Sequence, residues 1–140
     1  MLAVDLNKRA HQAILIAGCD ELSILEIDPA VNKALRVYTT LETVFPLYGK
    51  KELPDNDYTR RLILGKDTVF IVGMEQMRAA FPDYKRILGQ GISVIVNVPI
   101  VQNSVVVGSL NCMYASEEVT LPTAHEVKHL QKLFADKDRC

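Results

Sequence analysis

The sequence predicts one α+β (α/β) domain covering residues 1–140, and three observations predict it. Apolar residues spaced by three and four near each end of the chain mark two terminal helices. Two long β-branched runs, Ile92–Val101 and Val105–Tyr114, flank the short link Gln102-Asn103-Ser104 and mark a hairpin. Between these features shorter strands alternate with short helical stretches, and no repeat, low-complexity tract or linker divides the chain. A chain of 140 residues is long enough to bury a core of its own.

The elements follow in order. Leu2, Leu6, Ala10, Ala13, Ile14 and Ala17 lie on one side of a helix that Gly18 ends. Leu22–Asp28 and Ala34–Thr40 read as strands, joined through a link rich in turn residues, Asp28-Pro29-Ala30-Val31-Asn32-Lys33. Leu41–Pro54, with Pro46, Gly49 and Pro54, has no clear period and reads as a loop. Asp55 or Asn56 caps a helix running to about Leu64 before Gly65, and Thr68–Val72 reads as a short buried strand. Gly73 opens a helical stretch to Phe81, and Pro82-Asp83 restarts a second short helix that Gly89-Gln90-Gly91 ends. After the hairpin comes a helix from about Pro122 to Ala135, with Thr120 as its cap and Pro122 in its first turn.

Composition excludes several classes. Sixteen basic against 17 acidic residues leave a net charge of −1, so no long-range field draws the chain to nucleic acid or anionic lipid. The densest basic clusters are the pairs Lys50-Lys51 and Arg60-Arg61, which read as ordinary surface charge. No segment approaches the roughly 20 apolar residues that span a bilayer, and the start Met1-Leu2-Ala3-Val4-Asp5 lacks the basic opening of a signal peptide. Cys19, Cys112 and Cys140 are odd in number and widely spaced, which fits neither a disulfide framework nor a zinc site. The expected compartment is the cytoplasm.

With these elements placed, the chain resembles a GAF domain. The resemblance rests on Leu25-Glu26-Ile27-Asp28-Pro29 turning into Leu35-Arg36-Val37-Tyr38, then on Phe81-Pro82-Asp83-Tyr84 and Gly91-Ile92-Ser93. It continues through Val98-Pro99-Ile100 and Val106-Val107-Gly108-Ser109-Leu110 into the helix Leu121–Phe134. It implies a GAF-like antiparallel sheet with the N- and C-terminal helices on one face. Small helices and loops then cover a ligand pocket on the other.

The strand pattern agrees with a two-sided sheet. A turn at Asn103 sets Asn97 opposite Ser109 and Ile95 opposite Asn111. One face then carries Val94, Val96, Val98, Ile100, Val106, Leu110 and Cys112, which would pack on the terminal helices. The other carries Ser93, Ile95, Asn97, Ser109, Asn111 and Met113, a mixture that suits a small-molecule pocket. A solvated face with Ser and Asn paired across strands would give the same pattern. Tyr38, Phe70, Met74 and Met77 are candidate further walls, although two methionines at helical spacing also suit plain core.

Motifs that suggest chemistry do not survive placement. His125-Glu126-Val127-Lys128-His129 matches the zinc-peptidase pattern H-E-x-x-H. At about 100° per residue, however, both histidines point away from the stripe Ala124, Val127, Leu130 and Phe134. They therefore lie on an outer helix face rather than in a water-excluding cleft. Some GAF proteins resemble free-methionine sulfoxide reductases with a reactive cysteine before the Pro-containing strand, yet no cysteine stands between Gly65 and Pro99. Bilin-binding members use a Cys-His pair where this chain has Cys112-Met113, and cyclic-nucleotide-binding members an Asn-Lys pair where it has Tyr114-Ala115. Gly65-Lys66-Asp67-Thr68 lacks the upstream glycines of a phosphate loop.

The expected function is a small-molecule-binding sensory domain without its own effector domain, with no catalytic residue, metal or cofactor. Its expected partners are an unidentified small molecule and a second copy paired through the terminal helices, as is usual among GAF domains. A non-catalytic interaction or dimerisation module is the alternative, and a reductase-like enzyme lacking the expected cysteines a remote one.

Overall fold

The structure is a computed structural model that describes residues 5–28 and 30–135. Leu2, Pro29 and Cys140 lie outside the described residues. Helix α1 (Leu6–Ala17) buries Ala10, Ala13 and Ala17. These short side chains let its axis lie close to the sheet. Gly18 ends it at φ 62°, and the Gly18 N–H donates to the Ile14 carbonyl at 2.8 Å. Only glycine takes that left-handed position without cost.

Strands β1 (Glu21–Asp28) and β2 (Lys33–Thr39) form the expected antiparallel hairpin, with a bulge between Ile24 and Leu25. The segment Leu41–Pro54, expected to be a loop throughout, contains a third strand, β3 (Lys50–Glu52), paired with β2. Its three residues are all charged and carry no alternation to read. Charge on an edge strand discourages further pairing, so the feature that hid this strand also suits its place.

Helix α2 (Asp57–Ile63) starts at Asn56, whose side chain accepts from the Thr59 N–H at 3.0 Å. Strand β4 (Val69–Val72) lies at the other sheet edge, so only Val69 and Ile71 are buried in the strand expected to be buried throughout. Helices α3 (Gly73–Ala80) and α4 (Tyr84–Gly89) follow, then β5 (Val94–Gln102) and β6 (Val105–Tyr114). Helix α5 (Ala124–Ala135) starts later than expected. Its cap is Thr123 rather than Thr120: the Thr123 hydroxyl accepts from the Glu126 N–H at 3.1 Å, and the Glu126 carboxylate accepts from the Thr123 N–H at 2.9 Å. This reciprocal capping box is written in the sequence as T-x-x-E. Pro122 precedes the helix, and Ala124, placed in the buried stripe from sequence, is exposed in the first turn.

The six strands form one antiparallel sheet in the order β3-β2-β1-β6-β5-β4. The longest pairing is β5–β6. Its two-residue turn, Asn103-Ser104, has positive φ at both positions (53° and 65°), the geometry that matches strand twist in a tight hairpin. This turn sets Asn97 opposite Asn111 and Ile95 opposite Met113, two residues from the expected register. A shift of two preserves which face each side chain takes. A bulge between Ile100 and Val101 breaks that parity at one end: Val106 packs with Leu25, Ile27, Ala34 and Leu53, while Val107 turns toward the terminal helices.

On one face, Val94, Val96, Val98, Ile100, Leu110 and Cys112 join Val127, Leu130 and Phe134 of α5 and the alanines of α1 in the main core. Directional bonds fix both helices there. Gln131 donates to the Pro99 carbonyl at 3.0 Å and Gln102 to that of Phe134 at 2.9 Å, while Arg9 donates to the carbonyl of Leu133. The buried Tyr114 hydroxyl donates to the Ala17 carbonyl at 2.8 Å. The second core, on the opposite face, is built from Phe45, Leu62, Met77, Phe81, Ile87, Ile95 and their neighbours beneath α2, α3 and α4.

Ser104 bears a side chain at φ 65°, where glycine is favoured. Replacing it by glycine is expected to raise the unfolding free energy by about 0.5 kcal/mol, measured by urea denaturation.

Candidate ligand-binding cavity

The second face of the sheet holds a small polar cavity. The strand alternation that sends Val96, Val98 and Leu110 to the terminal helices sends Ile95, Asn97, Asn111 and Met113 the other way, into this space. Ser23, Arg36 and Lys51 enter from β1, β2 and β3. Tyr58 of α2, Phe45 of the loop after β2, Phe81 and Asp83 at the α3–α4 junction, and Ile87 of α4 form the cover. The cavity volume is about 30 Å³, room for about two waters.

Its polar groups are unevenly satisfied. The Tyr58 hydroxyl donates to Asn97 Oδ1 at 3.1 Å, but Asn97 Nδ2, on a side chain only 1% exposed, has no hydrogen-bond partner among the described residues. Asp83 Oδ1 is likewise buried and unpartnered. Asn111 Oδ1 accepts from the Ser109 hydroxyl at 2.8 Å. Arg36 donates through Nε to Ser23 Oγ at 3.2 Å and through Nη1 to the Pro46 carbonyl at 3.3 Å, and it lies 5.4 Å from the centre of the Phe45 ring. The Lys51 ammonium lies 5.5 Å from the centre of the Phe81 ring. Phe81 in turn meets Tyr58 edge to face, with centroids 4.9 Å apart.

Charge sets the character of this space. Two cations, Arg36 and Lys51, face one carboxylate, Asp83, so the lining carries a formal +1. Burial lowers the Lys51 pKa, with Asp83 opposing and Arg36 reinforcing the shift. Burial also lowers that of Arg36, against the pull of Asp83 and with the push of Arg86. Burial, then Asp83, pushes the Tyr58 phenol well above its ordinary value, so it stays a hydroxyl donor. In both cations desolvation outweighs the single carboxylate. The cavity is therefore short of negative charge.

The structure sorts the residues named from sequence. Ile95, Asn97, Asn111 and Met113 line the cavity together. Ser109 is buried beside it and orients Asn111. Ser93 sits just before β5, and its hydroxyl donates to the Ala115 carbonyl at 3.3 Å instead. Met77 is buried in the core under α3, one step from the cavity, while Met74 on the outer side of that helix is 53% exposed. Phe70 alternates to the opposite face, pairs with Val96 and is 40% exposed. Tyr38 also belongs to the terminal-helix side, beside Leu6 and Thr39, because the extra residue Val37 at the bulge in β2 changes the parity between Arg36 and Tyr38.

Sequence reasoning missed Ser23, Phe45, Tyr58, Phe81, Ile87 and the three charged residues. Arg36 interrupts an apolar strand, and that interruption was a readable signal. Lys51, expected to be surface charge, is half-buried; no local pattern marks it, because its burial depends on strand β3. Lys50, Arg60 and Arg61 are exposed.

Elsewhere, His125 and His129 are exposed on the outer side of α5, and Glu126 serves the capping box. Cys19 and Cys112 are buried on the terminal-helix side, remote from the cavity, with their thiols hydrogen-bonded to each other. This contact and then burial push the Cys112 thiol well above its ordinary range.

A six-stranded antiparallel sheet with its terminal helices on one face and a covered cavity on the other defines an α+β fold of one sheet between two layers. That fold is the GAF fold. The chain is similar to the GAF domain of a two-component sensor histidine kinase from Bacillus halodurans, with a TM-score of 0.70 and 14% identity, over 95% of this chain and 89% of that one. A GAF domain/HD domain protein from Geobacter sulfurreducens gives 0.72 and 10% identity over 91% and 83%. Residues 122 to 287 of a methyl-accepting chemotaxis protein give 0.64 and 19% identity over 91% and 81%. No protein-family model matches the sequence, and no curated protein matches it significantly.

Two substitutions test the electrostatics. Tyr58→Phe leaves Asn97 Oδ1 without its donor and is expected to cost about 1–2 kcal/mol of stability. Lys51→Met keeps the length and removes the charge, and is expected to add about 1 kcal/mol at neutral pH. The sign follows from linkage. A lysine pKa lowered on folding opposes folding below that pKa, and the penalty fades as pH rises toward the ordinary value of 10.5. The gain from Lys51→Met should therefore shrink at high pH in parallel denaturation series.

Proposed function

We propose that this domain is a small-molecule-binding sensory module that engages its ligand in the cavity between Asn97, Asn111, Arg36, Lys51 and Asp83. One observation carries the reading: two buried polar atoms, Asn97 Nδ2 and Asp83 Oδ1, converge unpaired on a space whose cations are incompletely neutralised. Unsatisfied buried groups are costly, and their clustering in a cavity is the mark of a place held for an occupant.

The reading includes a route outward. An occupant pairs groups from the sheet with Asp83 of the cover, drawing α4 onto β2, β3 and β5. The opposite faces of β5 and β6 carry α1 and α5, so a shift in strand packing biases those helices. Pairing of two copies through the terminal helices belongs to this reading, with Leu15 of α1, 83% exposed, as its apolar contact. The role is non-catalytic, since the histidines of α5 and the two described cysteines lie away from the cavity. The near-neutral charge argues against a nucleic-acid partner. A cytoplasmic setting fits the free thiols Cys19 and Cys112, and no helix among the described residues is long and apolar enough to cross a membrane.

One observation favours a second reading, an interaction module without a ligand: the side chains leave only about 30 Å³ open. Native mass spectrometry of the purified protein separates the two. A ligand-binding domain is expected to carry excess mass that leaves on denaturation, or to gain it on incubation with small metabolites. A bare chain in both conditions would favour the interaction module.

A further inference from the structure

The unpaired atoms of the cavity also specify the chemistry of their occupant. Resting on the reading of this cavity as the ligand site, we propose that it takes a small hydroxycarboxylate, a two- or three-carbon acid bearing a hydroxyl group. Three features of the lining converge on this class.

The first is charge. Among the described residues no ion pair joins Arg36 or Lys51 to Asp83. The lining retains its formal +1, and a monoanion cancels it. A zwitterionic amino acid adds no net charge and leaves the excess in place, whereas a dianion overshoots it. Arg36 has Nε and Nη1 committed to Ser23 and Pro46, which fixes the plane of its guanidinium and leaves Nη2 for a carboxylate oxygen. Lys51 supplies the second cation from the neighbouring strand β3.

The second feature is hydrogen-bonding sense. Asn97 Nδ2 is a donor in want of an acceptor, and a carboxylate oxygen provides one. Asp83 Oδ1 is an acceptor in want of a donor. A plain carboxylate has none to give and would meet Asp83 as a like charge. A hydroxyl on the ligand donates to Asp83 and converts repulsion into a charge-assisted bond. The third feature is size: a cavity of about 30 Å³ holds about two waters as it stands, so even an acid of two or three carbons enters only as the cover of α2 and α4 gives way, and anything larger demands more of it. Ile95 and Met113 offer apolar contact to a short carbon skeleton.

The test is isothermal titration of the full chain at low salt, with glycolate and L-lactate as probes. Acetate, 1,2-propanediol and L-alanine are the comparison solutes, and the Asn97 side-chain amide is followed by ¹H–¹⁵N NMR. Glycolate or lactate should bind at least about tenfold more tightly than each comparison solute and shift the Asn97 amide. Lys51→Met should weaken that binding about tenfold or more while leaving a folded protein of equal or higher melting temperature. Asp83→Asn should narrow the preference for glycolate over acetate. Hydroxy acids that bind no better than acetate or propanediol would overturn the proposal. If another metabolite shifts the Asn97 amide, the ligand class falls and the cavity reading stands. If no small molecule does and the purified chain is bare, both fall.

Discussion

The pairing of β5 with β6 is the constraint on which the rest of the molecule depends. These are inner strands of the sheet, each hydrogen-bonded on both sides, and their side chains serve two different structures. One set, including Val96, Val98, Leu110 and Cys112, forms the floor on which α1 and α5 lie. The other places Asn97 opposite Asn111 and Ile95 opposite Met113 at the base of the cavity. A slip of one residue would exchange the two sets, burying amides under the helices and turning valines to the cavity. The tight Asn103-Ser104 turn prevents that slip.

The two faces differ in how fully they are satisfied. On the helix side, directional contacts close among the helices and the sheet: Tyr114 to Ala17, Gln131 to Pro99, Gln102 to Phe134 and Arg9 to Leu133. On the cavity side the accounting stays open at Asn97 Nδ2 and Asp83 Oδ1, and burial disfavours the charges of Arg36 and Lys51. The directional contacts that fix the helices are thus concentrated on one face, and the other holds the unpaired groups on which the proposed ligand reading rests. On the proposed reading this asymmetry serves binding, because ligand affinity is drawn from interactions the protein alone does not make.

Most of the fold was legible in the sequence because it is written in local periodicity. The spacing of Ala10, Ala13 and Ala17, the glycine at Gly18, the turn between β1 and β2 and the long β5–β6 hairpin each carry their own signal. Strand β3 was not legible, since Lys50-Lys51-Glu52 pairs through backbone alone. The register lies two residues from the expected one because it depends on turn type, which Asn103-Ser104 encodes weakly. The cavity floor, Ile95, Asn97, Asn111 and Met113, followed from strand parity, which survives a shift of two. The charged rim did not follow. Arg36, Lys51 and Asp83 are far apart in sequence and meet only when the sheet edge and the α3–α4 junction are assembled. Phe70 and Tyr38 have the hydrophobicity of cavity walls but not the facing, and both lie on the other side of the sheet.

The central claim is that the unpaired groups of the cavity are kept for a bound small molecule. A high-resolution crystal structure of the protein as purified, followed by one soaked with candidate acids, tests it most directly. The account predicts a discrete non-protein molecule within hydrogen-bonding distance of Asn97 Nδ2, Asp83 Oδ1 and at least one of Arg36 and Lys51. A cavity closed by direct pairing of Lys51 with Asp83, with Asn97 turned to a protein acceptor and no molecule admitted on soaking, would contradict it.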